Sequence, residues 1–471
     1  MYLARKSHEA MHLAIIGNGV AGTTAARHVR KVDPAARITL ISEESDHFYS
    51  RTALMYIYMG HLTFGHTKPY QDWFWGRNRI DLVRDRVHSV DPARKRIKLS
   101  GGVWQSYDRL LVASGSRSVF AGWPGQELRG VQGLYGLPDL ETMESDTRGI
   151  THAVVVGGGL IGIELVEMLH SRGIHVTFLV RDETYYANVL PPEEGQIIAD
   201  EVRRHGIDIR LNTQLGEVLG DVNGRARAVV TTDGDEIPAQ FVGIGIGVTP
   251  NVDFLRGSGI EVDRGVLVDE FLQTSQTDVF AAGDCTQHRV PPAGRRATEP
   301  IWYAARQQGA TVAQNIGGRA RPYRPGIYFN SAKFFTIEWQ VYGRIPLSPA
   351  GEVDSLYWQH PDGRKSIRIA YRKADQRVVG FNVMGVRYRQ VVCERWIREE
   401  VRLPDVLRNL GAANFDPEFY TQFEKEVVAA YNLQNPAAPL ALEQKRGWRR
   451  WMSPDTRGLK GLDILPGRAL P

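Results

Sequence analysis

His12-Leu13-Ala14-Ile15-Ile16-Gly17-Asn18-Gly19-Val20-Ala21-Gly22 is the stretch that decides the fold. Its first five residues are an apolar, partly β-branched run that reads as a buried strand, and the glycines follow at once. Ala21, Ala25, Ala26 and Val29 then recur at helical spacing as a small-residue face. Asp33-Pro34 ends that helix, and Ile38-Thr39-Leu40-Ile41 supplies a second strand. Gly17 allows the tight turn, Gly19 lets backbone approach a pyrophosphate, and Gly22 lets helix pack on strand. The helix N-terminus offers unpaired N–H groups and a partial positive charge. An acid about twenty residues further on should hold a ribose hydroxyl. Glu43 stands there, with Glu44 beside it.

The unit recurs. Ala153-Val154-Val155-Val156 leads into Gly157-Gly158-Gly159-Leu160-Ile161-Gly162, with a helix to about Arg172 and a strand over His175-Val180. Gly157, Gly159 and Gly162 repeat the phosphate logic, so two dinucleotide sites are expected. At the ribose position of this copy stands Val180, followed by Arg181, Asp182 and Glu183. An arginine there can pair with the 2′-phosphate of NADPH or stack on an adenine, while the acids oppose a phosphate. The choice between NADH and NADPH stays open.

Composition narrows the function classes. The chain has 471 residues, with 58 basic and 53 acidic side chains, for a net charge of +5. That balance tolerates anionic ligands and does not call for nucleic acid. No apolar run reaches the length of a membrane span, and Met1 to Ala10 carries no apolar core of signal-peptide length. Cys285 and Cys393 are the two cysteines, which form no CxxC pair and no metal-ligand spacing. The expectation is a cytoplasmic protein with no bound metal.

Further segments follow in order. They are Leu110-Leu111-Val112-Ala113-Ser114-Gly115, Gly245-Ile246-Gly247-Val248-Thr249-Pro250-Asn251, Thr274 to Asp284, and Glu299 to Gly309. With the two glycine motifs they resemble the two-dinucleotide flavoprotein superfamily, the pyridine nucleotide–disulfide oxidoreductases, over roughly residues 12–320. The resemblance implies an α/β fold with two Rossmann-like domains, the NAD(P) domain inserted in the FAD domain, and a C-terminal α+β domain. The expected boundaries are 1–120 with 266–325 for FAD, 121–265 for NAD(P), 326–442 for the third domain and 443–471 for a basic tail. It implies FAD, and NADH or NADPH, as cofactors. Asp284 then corresponds to the aspartate on the ribityl chain, and Ser114, Gly115 and Gly247 lie on the segments crossing between the domains.

Phe48-Tyr49-Ser50-Arg51-Thr52-Ala53-Leu54-Met55-Tyr56 holds no cysteine where disulfide reductases and coenzyme A disulfide reductases place theirs. It is similar to ferredoxin and rubredoxin reductases and to nitrite reductase flavin modules. That likeness puts Arg51 beside the flavin pyrophosphate, Val87 at the adenine and Trp302 near the flavin edge. The lysine usual in ferredoxin reductases is Tyr56 here, while its partner glutamate is kept as Glu164, so a Tyr56–Glu164 hydrogen bond is expected instead. The implied activity is hydride transfer from nicotinamide to flavin, then electron transfer straight to an external acceptor, such as a small redox protein. Two other readings belong to the same scaffold: an NAD(P)H oxidase or quinone reductase, and a redox-gated interaction module like apoptosis-inducing factor. Lys445-Arg446-Gly447-Trp448-Arg449-Arg450-Trp451 suits an anionic membrane surface, an acidic protein, or a fold-back on its own chain or a dimer mate. A thiol relay needs a thiolate at the flavin. The double variant Cys285→Ser, Cys393→Ser should therefore keep flavin reduction by nicotinamide within a few-fold of the parent in a stopped-flow assay, and a folded, flavin-loaded variant that cannot turn over would restore the thiol reading.

Overall fold

The architecture is that of a computed structural model describing residues 10–348 and 351–442. The basic tail expected over 443–471 lies outside the described residues. The chain begins with β1 (His12–Ile16), α1 (Val20–Val32), β2 (Arg37–Ser42), a short α2 (Leu54–Tyr58) and β3 (Ile80–Arg84). An antiparallel three-stranded flap over residues 87–106 precedes β4 (Arg109–Val112). The second unit runs β5 (Val131–Gly133), α3 (Leu137–Asp146), β6 (His152–Val156), α4 (Leu160–Ser171), β7 (His175–Leu179), α5 (Pro192–Arg204), β8 (Asp208–Arg210) and β9 (Phe241–Ile244). The chain then rejoins the first unit through β10 (Val279–Ala281) and α6 (Trp302–Ile316).

Both units are parallel five-stranded sheets, ordered β10-β4-β1-β2-β3 and β8-β7-β6-β9-β5. Leu13 to Ile15 and Val154 to Val155 are fully buried, as a strand covered on both faces requires. In each sheet the glycine-bearing strand sits where the strand order reverses: Ile16 pairs with Ile41 on one side and Val112 on the other, Val156 with Leu179 and Ile244. Open α/β sheets bind ligands in the crevice beyond the carboxyl ends of such strands. Val252, Leu255 and Ile260 are buried in the first core, upstream of the expected boundary at 266.

The third unit is an antiparallel sheet, β11 (Phe329–Phe334), β12 (Ile337–Gly343), β13 (Val353–Gln359), β14 (Ser366–Arg372) and β15 (Val378–Met384), ordered β11-β12-β15-β14-β13. It is backed by α7 (Gln390–Arg398), α8 (Leu403–Arg408) and α9 (Glu424–Gln434). The sheet docks on the second unit. Phe334, Phe335, Ile337 and Trp339 share one core with Ile163, Val166, Ile197 and Val202. Beside it Arg368 of β14 grips Glu194 of α5 with two hydrogen bonds of 2.7 and 2.9 Å, and Asn382 adds a third to Glu194 at 3.1 Å. Glu194 is fully buried, so removing its cation leaves a lone charge in the interior. Arg368→Ala should lower unfolding stability by about 3–5 kcal/mol in a urea titration, while the paired apolar change Arg368→Met, Glu194→Leu should cost far less.

Candidate functional site

The two glycine turns are built alike. Gly17 donates to Ile41 O (2.8 Å) and has φ +108°, and a Cβ there would lie 2.1 Å from Ala113 O. A Cβ on Gly22 would lie 2.0 Å from Gly17 O, so only glycine lets α1 begin against β1. In the second copy Gly157 donates to Leu179 O (2.9 Å), and a Cβ on Gly162 would lie 1.9 Å from Gly157 O.

What lies over the turns is the informative part. Gly19 and Gly159 are the N-caps of α1 and α4, and neither helix has a side-chain cap or an acid in its first turn. Of the other helices, α3 carries Asp139 and α5 carries Glu193 and Glu194 in the first turn, whereas α6 and α7 carry no acid there; what sets α1 and α4 apart is the glycine turn from which each starts. A Cβ on Gly19 would meet nothing within 4 Å. Two helix N-termini thus present free N–H groups and uncompensated dipoles to open crevices, which fits the phosphates of a dinucleotide.

The other expected residues gather around the first turn. Glu43 stands exposed just past β2, with Arg86 3.4 Å away. Val87 is buried where the flap begins. Ser114 Oγ donates to Asn251 O (2.6 Å), and Gly247 (φ +124°) follows the end of β9 in open space. These contacts lace the two crossing segments together. Asp284 follows β10, where burial raises its carboxyl to about 6 against the pull of Arg51. Arg51 holds Glu44 with Nη1 at 3.0 Å and Nη2 at 2.6 Å. Burial works to raise the Glu44 carboxyl, but Arg51 and the hydrogen bonds keep it below the usual range.

The expected Tyr56–Glu164 hydrogen bond is not present. Tyr56 stacks on His61 at 6.2 Å between ring centroids, and α2 meets α4 through apolar side chains instead. Glu164 has no hydrogen-bonded cation, and burial with the nearby Glu167 pushes its carboxyl up to about 7. Arg181 is 72% exposed and leans on Asp182 at 3.2 Å. Trp302 opens α6 and stays 37% exposed, edge-on to Tyr303 at 5.3 Å with Arg306 over its ring at 5.8 Å.

Both cysteines are inert. Cys285 is fully buried with Sγ 3.4 Å from Val112 O, and burial raises its thiol to about 11. Cys393 is fully buried in α7, and burial pushes it up further. Sequence reasoning missed Tyr135, whose hydroxyl lies 3.3 Å from Asp284 Oδ2, and Tyr49, which donates to Glu44. Its signal was Gly136-Leu137-Pro138-Asp139, an N-terminal capping pattern that places Tyr135 at a helix entrance.

Two glycine turns, each starting a helix at the switch point of a parallel sheet, define a fold built for two dinucleotides. The model of the pyridine nucleotide-disulphide oxidoreductase family matches residues 11–309. The chain belongs to that family and is an FAD-dependent NAD(P)H oxidoreductase. It is 33% identical over 302 residues to the biphenyl dioxygenase system ferredoxin–NAD(+) reductase component of Paraburkholderia xenovorans, covering 64% of this chain and 73% of that one. It is 28% identical over 331 residues to rubredoxin–NAD(+) reductase of Pseudomonas putida, covering 70% and 86%. Among solved structures, the ferredoxin reductase for the CYP199A2 system of Rhodopseudomonas palustris superposes with a TM-score of 0.72 at 25% identity, covering 79% and 91%. No helix among the described residues is long and apolar enough to cross a membrane.

Asp284 gives the site a stability signature. Its folded pKa is raised from 3.8 to about 6, so the folded FAD-free protein favours the protonated acid and loses stability as pH rises through that value. Asp284→Asn should therefore stabilise the FAD-free chain by about 1–3 kcal/mol near pH 8 and change little below about pH 4. Urea unfolding at the two pH values checks this.

Proposed function

We propose that this chain oxidises NADH and passes the electrons from FAD directly to a small redox protein. The observation that carries the reading is the pairing of two open nucleotide cradles with two sealed thiols. Electrons arriving at the flavin then have no protein sulfur to move to. The names of the relatives, which pair NAD(+) with ferredoxin or rubredoxin, support the donor and the class of acceptor. Two buried free cysteines suit a reducing compartment such as the cytoplasm.

Bound FAD would supply the hydride chemistry, and the chain's residues would supply position and charge. The N–H groups of α1 would hold the FAD pyrophosphate. Arg51 would flank it with its Nε–H, since Glu44 and Tyr135 O take its other face. Glu43 would accept from the adenosine ribose, the backbone of Val87 would meet the adenine, and Asp284 would accept from the ribityl hydroxyls. Ser114, Gly115 and Gly247 would carry the backbone past the flavin. The N-terminus of α4, with Gly157, Gly159 and Gly162, would seat the nicotinamide dinucleotide. Arg181 would stack on its adenosine, with Asp182 and Glu183 disfavouring a 2′-phosphate. Glu164, able to hold a proton near neutral pH, would stand with Tyr56 near the hydride-transfer side. Trp302 would lie at the edge where electrons leave.

Turnover with NADH should be fastest with an iron–sulfur ferredoxin or a rubredoxin, and slow with oxygen or a quinone. Trp302→Ala should lower kcat with the protein acceptor by about tenfold and leave flavin reduction by NADH within a few-fold, because the side chain would act only in the second half-reaction. Oxygen uptake matching NADH oxidation, with no gain on adding any redox protein, would contradict the proposal.

A further inference from the structure

Tyr135 lies between β5 and α3 of the second unit, yet each of its polar groups is committed across the joint or to the start of α3. Its hydroxyl accepts from Ser116 N–H at 2.8 Å and donates toward Asp284 Oδ2 at 3.3 Å. Its carbonyl accepts from Arg51 Nη1 at 2.6 Å, and the Arg51 guanidinium lies 4.5 Å from its ring centroid. Its N–H donates to Asp139 at 2.7 Å. Glu44 completes the joint, since the carboxylate that takes the Arg51 fork also accepts Leu137 N–H at 2.7 Å, at the first turn of α3. Glycines are fitted around this arrangement. A Cβ on Gly115 would lie 2.7 Å from the Tyr135 hydroxyl, and one on Gly136 would lie 2.6 Å from Glu44 Oε1. A tyrosine used only as packing has no need of these bonds.

We infer that Tyr135 is a positioning residue of the flavin site, which holds Asp284 and Arg51 for FAD and ties that grip to the first turn of α3 in the second unit. The inference rests on the placement of FAD at α1, Arg51 and Asp284 proposed above. Tyr135 occupies Oδ2 of Asp284 and so sets which lone pairs of the carboxylate remain for a ligand. The groups facing Asp284 are Arg51, Tyr135 and the neighbouring neutral thiol of Cys285, and both Arg51 and the Tyr135 hydrogen bond favour the ionised acid. Deleting the hydroxyl therefore moves the ionisation of Asp284 to higher pH.

The test is a double-mutant cycle on the full chain, stripped of flavin and titrated with FAD by quenching of flavin fluorescence. Circular dichroism verifies that each variant is folded. Tyr135→Phe should raise the FAD dissociation constant about tenfold or more, because Asp284 loses the hydroxyl that orients its carboxylate toward the ligand. The pH midpoint of FAD affinity should shift upward. Combined with Asp284→Asn, Tyr135→Phe should add little, because the two act on one contact. Asp284→Asn with unchanged FAD affinity would overturn the cofactor placement and this inference with it. A weakened Asp284→Asn beside a Tyr135→Phe that binds FAD within twofold at the same pH midpoint, or fully additive effects, would overturn the inference alone and leave the placement standing.

Discussion

The structure depends on two glycine turns, each of which starts a helix hard against a parallel strand. A helix N-terminus leaves backbone N–H groups unpaired, and most helices answer them with a side chain or an acid in the first turn. Here α1 and α4 begin at Gly19 and Gly159 with neither. Helices α6 and α7 also begin without either, so what distinguishes the pair is its place: each starts at a glycine turn where strand order reverses, the crevice in which open α/β sheets bind ligands. The sheets serve this constraint. Parallel strands bring Ile16 and Val156 to the points where strand order reverses, and Gly22 and Gly162 allow each helix to start against its strand.

A second constraint shapes the first site. Asp284 and Glu164 are acids raised by burial, and neither has the close ion pair that a structural carboxylate acquires. Glu194 shows the contrast: fully buried and also raised by burial, it is held by Arg368 and Asn382. The chain gives Glu194 a cation where the third sheet docks, and leaves Asp284 with a tyrosine hydroxyl and no close ion pair. Perturbed acids in a cleft mark functional sites for this reason.

Much of this was readable in the sequence, because it is local. Strand β1 spans His12–Ile16 as its apolar run predicts, α1 has Asp33 as its C-cap before Pro34, and a strand forms over His175–Leu179 where one was expected. That no cysteine stands in the Phe48–Tyr56 stretch was readable for the same reason, and the two cysteines lie buried elsewhere. The misses are all non-local. Nothing periodic links Glu44 to Leu137, Tyr135 to Asp284, or Arg368 to Glu194, which stands 174 residues away. The Tyr56–Glu164 bond is absent for a similar reason: the pairing was carried over from the lysine–glutamate pair of ferredoxin reductases, while α2 settled on α4 by apolar contact. The docking of the third sheet on the second unit likewise rests on contacts of Phe334 and Phe335 at a hairpin tip with residues more than a hundred positions earlier.

The central claim is that the flavin is the only redox group in the chain's electron path. Anaerobic titration of the FAD-loaded protein with NADH measures this directly, because each redox centre takes up its own share of reducing equivalents. The visible flavin band should bleach fully at one hydride equivalent per FAD, while aliquots denatured and alkylated before and after reduction both count two free thiols. A second equivalent per FAD, with new free thiols appearing as it is consumed, would show a disulfide in series with the flavin and contradict the account.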